Sequence, residues 1–460
     1  MNLFGILLCF LNLSLPTDSL ESLVVKRIDI LGNKKTKESI ILREMTFEVG
    51  DTLNADVLSE KLERSRKNIF NTNLFLWCKA DFDQENGGAN IVIEVRERLY
   101  LLPLPMFFLA DRSFNEWWYN RNHDLKRVTY GVLLNHSNLT GNADVLKVKA
   151  YGGFVPYFEL SYNRPYIDKR QRMGLRAGVF YSTQKSFAYR TWEDKLDFVE
   201  TDLRTQEKKG AFVEYNLRNA LYHNHKVYLG YTESKLLGDA VDLNPNYFGT
   251  AVNFLPYFTL RYNYRFERVN NVQYPLDGQV LAASAVHYGL GLSDHLHQIS
   301  FGFDYQVYKG LGGDFYGNMN LKGQLSYPKK QLYPFVSALG TKKSLVRGYE
   351  LNVIDGQHYG LVQTNLKYEI FNTSLDISKV LPIKQLNNVP LALYSIVYAD
   401  MGYVKNFFPE FSNSSLSNKL IYGGGVGFDL VTFYSTAAKI NLSVNQFGFS
   451  KVYFGVYRGI

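Results

Sequence analysis

From residue 101 to the C-terminus the chain alternates apolar and polar side chains in runs parted by polar or Gly-Asn turns. Clear examples are Val145 to Phe154, Gly174 to Ser182, Ala211 to Asn219, Phe258 to Arg268, Gln279 to Tyr288, Gln298 to Lys309 and Phe315 to Tyr327. The pattern resumes with Gln363 to Phe371, Leu391 to Val404, Tyr422 to Phe433, Ala437 to Phe447 and Val452 to Ile460. Residues two apart share one face of a strand, so Phe301, Phe303, Tyr305 and Val307 form an apolar surface opposite Gly302, Asp304, Gln306 and Tyr308. A single antiparallel sheet of this length must close, because an open edge would seek partners. At roughly ten residues per membrane-spanning strand plus its connection, some 14 to 18 strands fit, with about 16 expected. One face would meet lipid and the other water. A soluble propeller would need a repeated blade motif, which the sequence does not carry.

Residues 22–100 follow a different rule, mixing strand and helix periods as a small α+β domain does. A strand is predicted around Val25, Ile28 and Ile30, closed by the turn Gly32-Asn33. A short helix follows, with Thr36, Glu38 and Ser39 at its N-terminal cap region and Ile40, Ile41 and Met45 as its apolar positions, before Gly50-Asp51 breaks it. A second helix from about Asn54 carries Val57, Leu58, Leu62, Ile69 and Phe70 between charged residues, which gives one buried and one solvated face. Strands Trp77 to Phe82 and Ile91 to Tyr100 complete the unit across the turn Glu85-Asn86-Gly87-Gly88. Ile28, Val57 and Leu62 read as core.

Composition fits a barrel. Tyr (34), Phe (32) and Gly (36) are plentiful, and the mean hydropathy is too polar for a bundle of membrane helices. The only long apolar stretch, Leu3 to Leu15, is short for a spanning helix and is expected to be the core of a signal peptide over residues 1–19, although no Lys or Arg precedes it. Removing it would leave Cys78 as the sole cysteine and no internal disulfide. The net charge of +8 is dispersed, with no basic stripe to bind nucleic acid.

Within residues 22–100, the run Arg27-Ile28-Asp29-Ile30-Leu31-Gly32-Asn33, then Thr36, then Glu48-Val49-Gly50-Asp51-Thr52-Leu53-Asn54, then Asn73-Leu74-Phe75, resembles a POTRA domain, the periplasmic module of outer-membrane assembly and translocation proteins. The resemblance implies a domain that pairs an exposed strand edge with extended clients or partners.

A second resemblance covers the C-terminal half of the barrel. Tyr274-Pro275-Leu276-Asp277-Gly278, Leu345-Val346-Arg347-Gly348-Tyr349-Glu350, Tyr368-Glu369-Ile370 and Tyr398-Ala399-Asp400-Met401-Gly402 occur in the order seen in the BamA and TamA superfamily. On its own residues, Val346-Arg347-Gly348-Tyr349 reads as a tight loop tip that presents one guanidinium, with Gly348 supplying the backbone freedom. The resemblance implies that this tip folds back into the barrel, and that Arg347 meets an acidic residue of the inner wall: Asp400, or Glu369 as the second candidate. Asp400 shares its parity with the apolar Ile396 and Tyr398, so alternation alone does not orient it, but a lipid-facing Asp would be costly. The final strand, through Tyr453, Phe454 and Tyr457, is expected to form the barrel seam with the first. Two features depart from the family pattern: a single POTRA-like segment, and an end at Ile460 without a terminal aromatic residue.

No catalytic set, metal site or cofactor motif survives inspection. His287, His295 and His297, like His223 and His225, lack a completing Cys or well-spaced carboxylate. Gly423-Gly424-Gly425 belongs to a strand, where glycine allows bending or close packing, and has no phosphate-loop context. The two resemblances imply an insertase or translocase of a Gram-negative outer membrane, expected to be non-enzymatic. Its POTRA-like domain would lie in the periplasm. Its partners would be unfolded outer-membrane or secreted clients, outer-membrane lipids and periplasmic chaperones or accessory lipoproteins. The contrasting expectation is a passive pore or structural barrel.

Overall fold

The computed structural model describes residues 22–85, 87–109, 117–119, 122–201, 203–238, 240–249, 252–291, 295–340, 344–376, 378, 388–432 and 436–458. The expected signal peptide, and Asn86 of the first domain's hairpin turn, lie outside these residues.

The first domain is built in the order β1 (Ser22–Leu31), α1 (Glu38–Leu42), β2 (Thr52–Asn54), α2 (Ala55–Asn71), β3 (Phe75–Glu85) and β4 (Gly88–Glu97). Its sheet has the order β2-β1-β4-β3, with β1 and β4 parallel and the other pairs antiparallel. Asn54 caps α2 by accepting from Val57 N at 2.9 Å, and the helix buries Leu58, Leu62 and Ile69 against Val25, Ile91 and Ile93 of the sheet. Two sequence expectations change. Val57 is exposed at 38%, because it falls on the solvated side of the first helical turn. Thr36 does not cap α1, whose N-cap is Lys37 without a side-chain bond. Its hydroxyl and amide go instead to Glu97 Oε1, both at 2.7 Å.

The second unit is a 16-stranded antiparallel sheet running from Leu101–Leu109 to Ser450–Arg458 in sequence order. The alternation of the sequence becomes its two faces. Phe301 and Phe303 point outward and are about half exposed, while Gln298 and Ser300 are buried. Among the described residues no helix is long and apolar enough to cross a membrane. Strand length varies around the wall: Val128–Ser137, Val145–Gly153 and Tyr157–Arg164 have 8 to 10 residues, whereas His358–Asp376 has 19 and Asn388–Lys405 has 18. Sequence reading missed several of the short strands, because a segment of eight residues gives few alternations to count.

The two units are joined across one mouth of the barrel. Glu44, after α1, has its side chain only 2% exposed and accepts two bonds from Arg218, at 2.5 and 2.7 Å. Arg43 lies 4.5 Å over the Tyr166 ring and donates to the Gln171 carbonyl at 2.6 Å. Arg64 on α2 donates to Tyr222 Oη at 2.7 Å, and Gln273 donates to Asn73 Oδ1 at 2.7 Å. These partners sit at turns or strand ends along one half of that mouth. Above the first domain lies a cavity of about 1010 Å³, whose lining includes Glu44, Arg218, Glu214, Lys226, Asp304 and Lys322. Its charges are largely self-paired, as in Lys322 with Asp304 at 3.4 Å and Lys226 with Glu214 at 3.9 Å.

Candidate functional site: the inward loop and the seam

The connection between strands Phe315–Tyr327 and His358–Asp376 turns back into the barrel and carries Val346-Arg347-Gly348-Tyr349. Val346 and Tyr349 are 1% and 2% exposed and pack with Leu339, Ile354, Leu361, Val404 and Ile421. Between these apolar anchors the backbone must reverse. Gly348 does so at φ +99°, a conformation side chains other than hydrogen rarely adopt. The wall is cut to receive it: a Cβ on Gly423 would stand 2.1 Å from the Arg347 carbonyl oxygen, and one on Gly402 would stand 2.7 Å from Val346 Cγ2. The glycine run at 423–425 thus permits the loop's close approach.

Arg347 meets Asp400. Its Nε donates to Asp400 Oδ2 at 2.7 Å, its Nη2 donates to Asp400 Oδ1, and its backbone amide donates to Oδ2 at 3.0 Å. Nη1 donates to Asn365 Oδ1 at 2.5 Å, Nη2 donates to the Thr364 carbonyl at 3.2 Å, and the guanidinium lies 3.8 Å over the Tyr398 ring. The Asp400 side chain is fully buried. Its parity is inward together with Tyr394, Ile396 and Tyr398, all below 6% exposed, while Val397, Met401 and Tyr403 face outward. The lumenal parity is apolar here because inward-folded segments cover it.

The tip is tied to more than one strand. Glu350 Oε2 accepts from Gly348 N at 2.8 Å, and Glu350 Oε1 accepts from Ser443 Oγ at 3.3 Å. Asn445 Nδ2 donates to the Gly348 carbonyl at 3.3 Å. Burial pushes the Glu350 carboxyl up to about 7.

The structure does not bring Glu369 to Arg347. Asp400 registers with Gln363, so Glu369 lies six positions further along the same strand, about 20 Å away at the strand rise. There it accepts from Tyr394 Oη at 2.6 Å. Nearby, Tyr274 of the Tyr-Pro-Leu-Asp-Gly segment reaches the wall, donating to Asp429 Oδ2 at 2.9 Å under the amine of Lys367, 4.0 Å from its ring.

At the seam, Tyr453 and Phe454 stand opposite Asn441 and Ile440, Tyr453 buried and Phe454 outward. Tyr457 stands opposite Ala437, and its side chain lies outside the described residues. Among the described residues no ladder joins this last strand to Leu101–Leu109. Tyr119 makes a contact instead, donating to the Val452 carbonyl at 3.0 Å beneath the Lys451 amine at 4.4 Å.

The first strand is a poor partner for such a ladder. Pro103 and Pro105 pair with Leu134 and Val132 of the neighbouring strand. A proline held in a ladder must turn its donor-less nitrogen to the opposite edge, which here is the seam. Positions 101, 103, 105, 107 and 109 share that direction, so two of the five seam-facing donors are missing. Sequence reading overlooked these residues, although Pro-x-Pro in a strand-length apolar run was the available signal.

Comparison with known proteins places these features. Residues 23–98 match the POTRA family model, described as surface antigen variable number repeat. The chain is similar in structure to BamA from Haemophilus ducreyi lacking POTRA domains 1–3, at 14% identity and TM-score 0.54, covering 94% of this chain and 84% of that one. It is also similar to CdiB from Escherichia coli, at 11% identity and TM-score 0.56, covering 95% and 76%. CdiB from Acinetobacter baumannii matches at 16% identity and TM-score 0.50, covering 95% and 73%. No curated protein matches the chain by sequence.

Proposed function

We propose that this chain, a POTRA domain joined to a 16-stranded barrel with the BamA and TamA superfamily fold, is an outer-membrane insertase or translocase for unfolded polypeptides. Its POTRA domain would lie in the periplasm, and the whole would act without bond chemistry of its own. The observation that carries this reading is the seam depleted of donors by Pro103 and Pro105. A barrel in lipid must satisfy its backbone groups, yet this one has a strand pair that cannot make a full ladder. An entering strand could pair with the outer edge of the last strand and be exchanged for the next without a nucleotide.

The Arg347 tip supports the same reading by bracing the wall beside the seam. It binds the strands of Asp400, Ser443 and Asn445, and the last of these neighbours the seam strand directly. Such bracing would hold the C-terminal wall rigid while the seam parts. The similarity to BamA and CdiB is compatible with either membrane insertion or export of a dedicated client.

The contrasting reading, a passive pore, predicts steady conductance. The docked POTRA domain and the lumenal loop favour a barrel closed at rest. Single-channel recording on the full chain in planar bilayers tests this. The insertase reading expects a closed baseline, with openings when Arg218→Ala loosens the docking. A steadily open wild-type channel that the substitution leaves unchanged would favour the pore.

A further inference from the structure

The two longest strands do more than complete the wall. His358–Asp376 pairs with Phe315–Tyr327 only as far as Tyr368, and Asn388–Lys405 pairs with Leu420–Val431 only from Ala392 onward. Beyond those limits they continue alone as a two-stranded ribbon, with Thr373↔Leu391, Ser374↔Pro390 and Asp376↔Asn388 in register. The ribbon leaves the barrel at the mouth where the POTRA domain sits. It rises from the twelfth and thirteenth barrel strands, whereas the POTRA contacts fall at the turns after the second, fourth, sixth and eighth. All six residues from Phe371 to Asp376 are exposed, on both faces.

The two edges of this ribbon are not equivalent. Pro390 in the ladder must direct its nitrogen to its own outer edge, which removes a donor there and guards that edge against pairing. Ser374, opposite it, occupies the same kind of pair, so its amide and carbonyl point to the other outer edge, as do those of Asn372 and Asp376. From Phe371 to Ser374 that edge has no proline and no charged residue, the usual devices that keep a bare strand from pairing. One side is blocked and the other is left open.

We infer that the edge Phe371–Asp376 is a strand-accepting site that pairs with an extended segment of a polypeptide entering the barrel from the POTRA side. The occupant follows from the complementarity: a row of outward amides and carbonyls is matched by another strand, and the short polar side chains Asn372, Thr373 and Ser374 leave its sequence loosely specified. The inference rests on the proposed translocase reading. It adds that an incoming chain meets two β edges on opposite sides of the mouth, one on the POTRA sheet and one on the ribbon.

The test is hydrogen exchange on the full chain in lipid nanodiscs, with and without a peptide of the sequence of residues 298–309, a barrel strand offered in isolation. The expected result is several-fold slower exchange of the amides of Asn372, Ser374 and Asp376 with the peptide present, without slowing at Asn388–Leu391. Ser374→Pro, which removes one outward donor while sparing the ladder, should abolish that protection. Unchanged exchange at Asn372, Ser374 and Asp376 up to millimolar peptide would overturn the site, as would protection that survives Ser374→Pro. Protection that appears on moving from detergent to nanodiscs without peptide would also overturn it, assigning the edge to the bilayer. None of these results bears on whether depleting the protein loses clients, so the site can fail while the translocase reading stands.

Discussion

Replacing Arg347 with Ala removes the bidentate bond to Asp400, the bonds to Asn365 and Thr364, and the stack on Tyr398. It leaves Asp400 with its side chain fully buried and, among the described residues, bonded through the Arg347 backbone amide alone. Exposed ion pairs contribute about 0 to 1 kcal/mol, but an uncompensated buried charge costs about 3 to 5 kcal/mol. The variant should therefore lose about 3 to 5 kcal/mol of barrel stability. Arg347→Leu with Asp400→Leu should recover part of that loss, because no charge is then stranded. The assay is denaturant unfolding in lipid vesicles, read by heat-modifiable gel mobility and organised as a double-mutant cycle. A loss below about 1 kcal/mol for Arg347→Ala, or no coupling in the cycle, would refute the argument and return Arg347 to an ordinary turn residue.

Other positions give independent tests. Pro103→Val with Pro105→Val restores two seam donors, worth about 0.5 to 1.5 kcal/mol each, so the barrel should become more resistant to denaturant while client output falls. With Glu350 raised to about 7 by burial, the docked loop binds a proton more tightly than the undocked one. Docking should thus be strongest below the ordinary carboxylate range and weaken as pH rises through 7. Exchange of the Gly348 amide should quicken between pH 5 and 8 beyond the intrinsic rate, and Glu350→Gln should remove that excess. The Cys78 thiol, pushed up to about 11 by burial, should resist maleimide at pH 8 in a Cys9→Ser background until the POTRA domain is unfolded. Asp194, buried at a hairpin tip, accepts from Ser415 N at 2.9 Å and Leu416 N at 3.2 Å. Asp194→Ala should free the hairpin Ser186–Glu200 to proteolysis without unfolding the barrel.

Much of this architecture was legible in the sequence, for reasons that also mark where reading stopped. Alternation over ten or more residues identified strands such as Gln298–Gly312, because one face meets an apolar surround and the other an aqueous lumen. It failed at Tyr157–Arg164, which is short, and at Leu101–Leu109, where Pro103 and Pro105 disguise a strand as a linker. The partner of Arg347 came from motif order. Alternation could not orient Asp400, since a lumenal wall covered by a folded-in loop is as apolar as a lipid-facing one. Glu369 stood as the second candidate because distance along a strand does not show in residue type. The glycine run at 423–425 signals bending or close packing, but residue type does not tell that the loop backbone at Arg347 is what approaches Gly423. The ribbon depends on where neighbouring strands stop, which local sequence does not encode.

The most direct measurement is quantitative proteomics of the outer membrane and the secreted fraction after depletion of this protein. The account predicts selective loss of one or more polypeptide clients from either fraction, and Pro103→Val with Pro105→Val failing to restore them. Unchanged levels of every outer-membrane and secreted protein would contradict it and leave a barrel without a client.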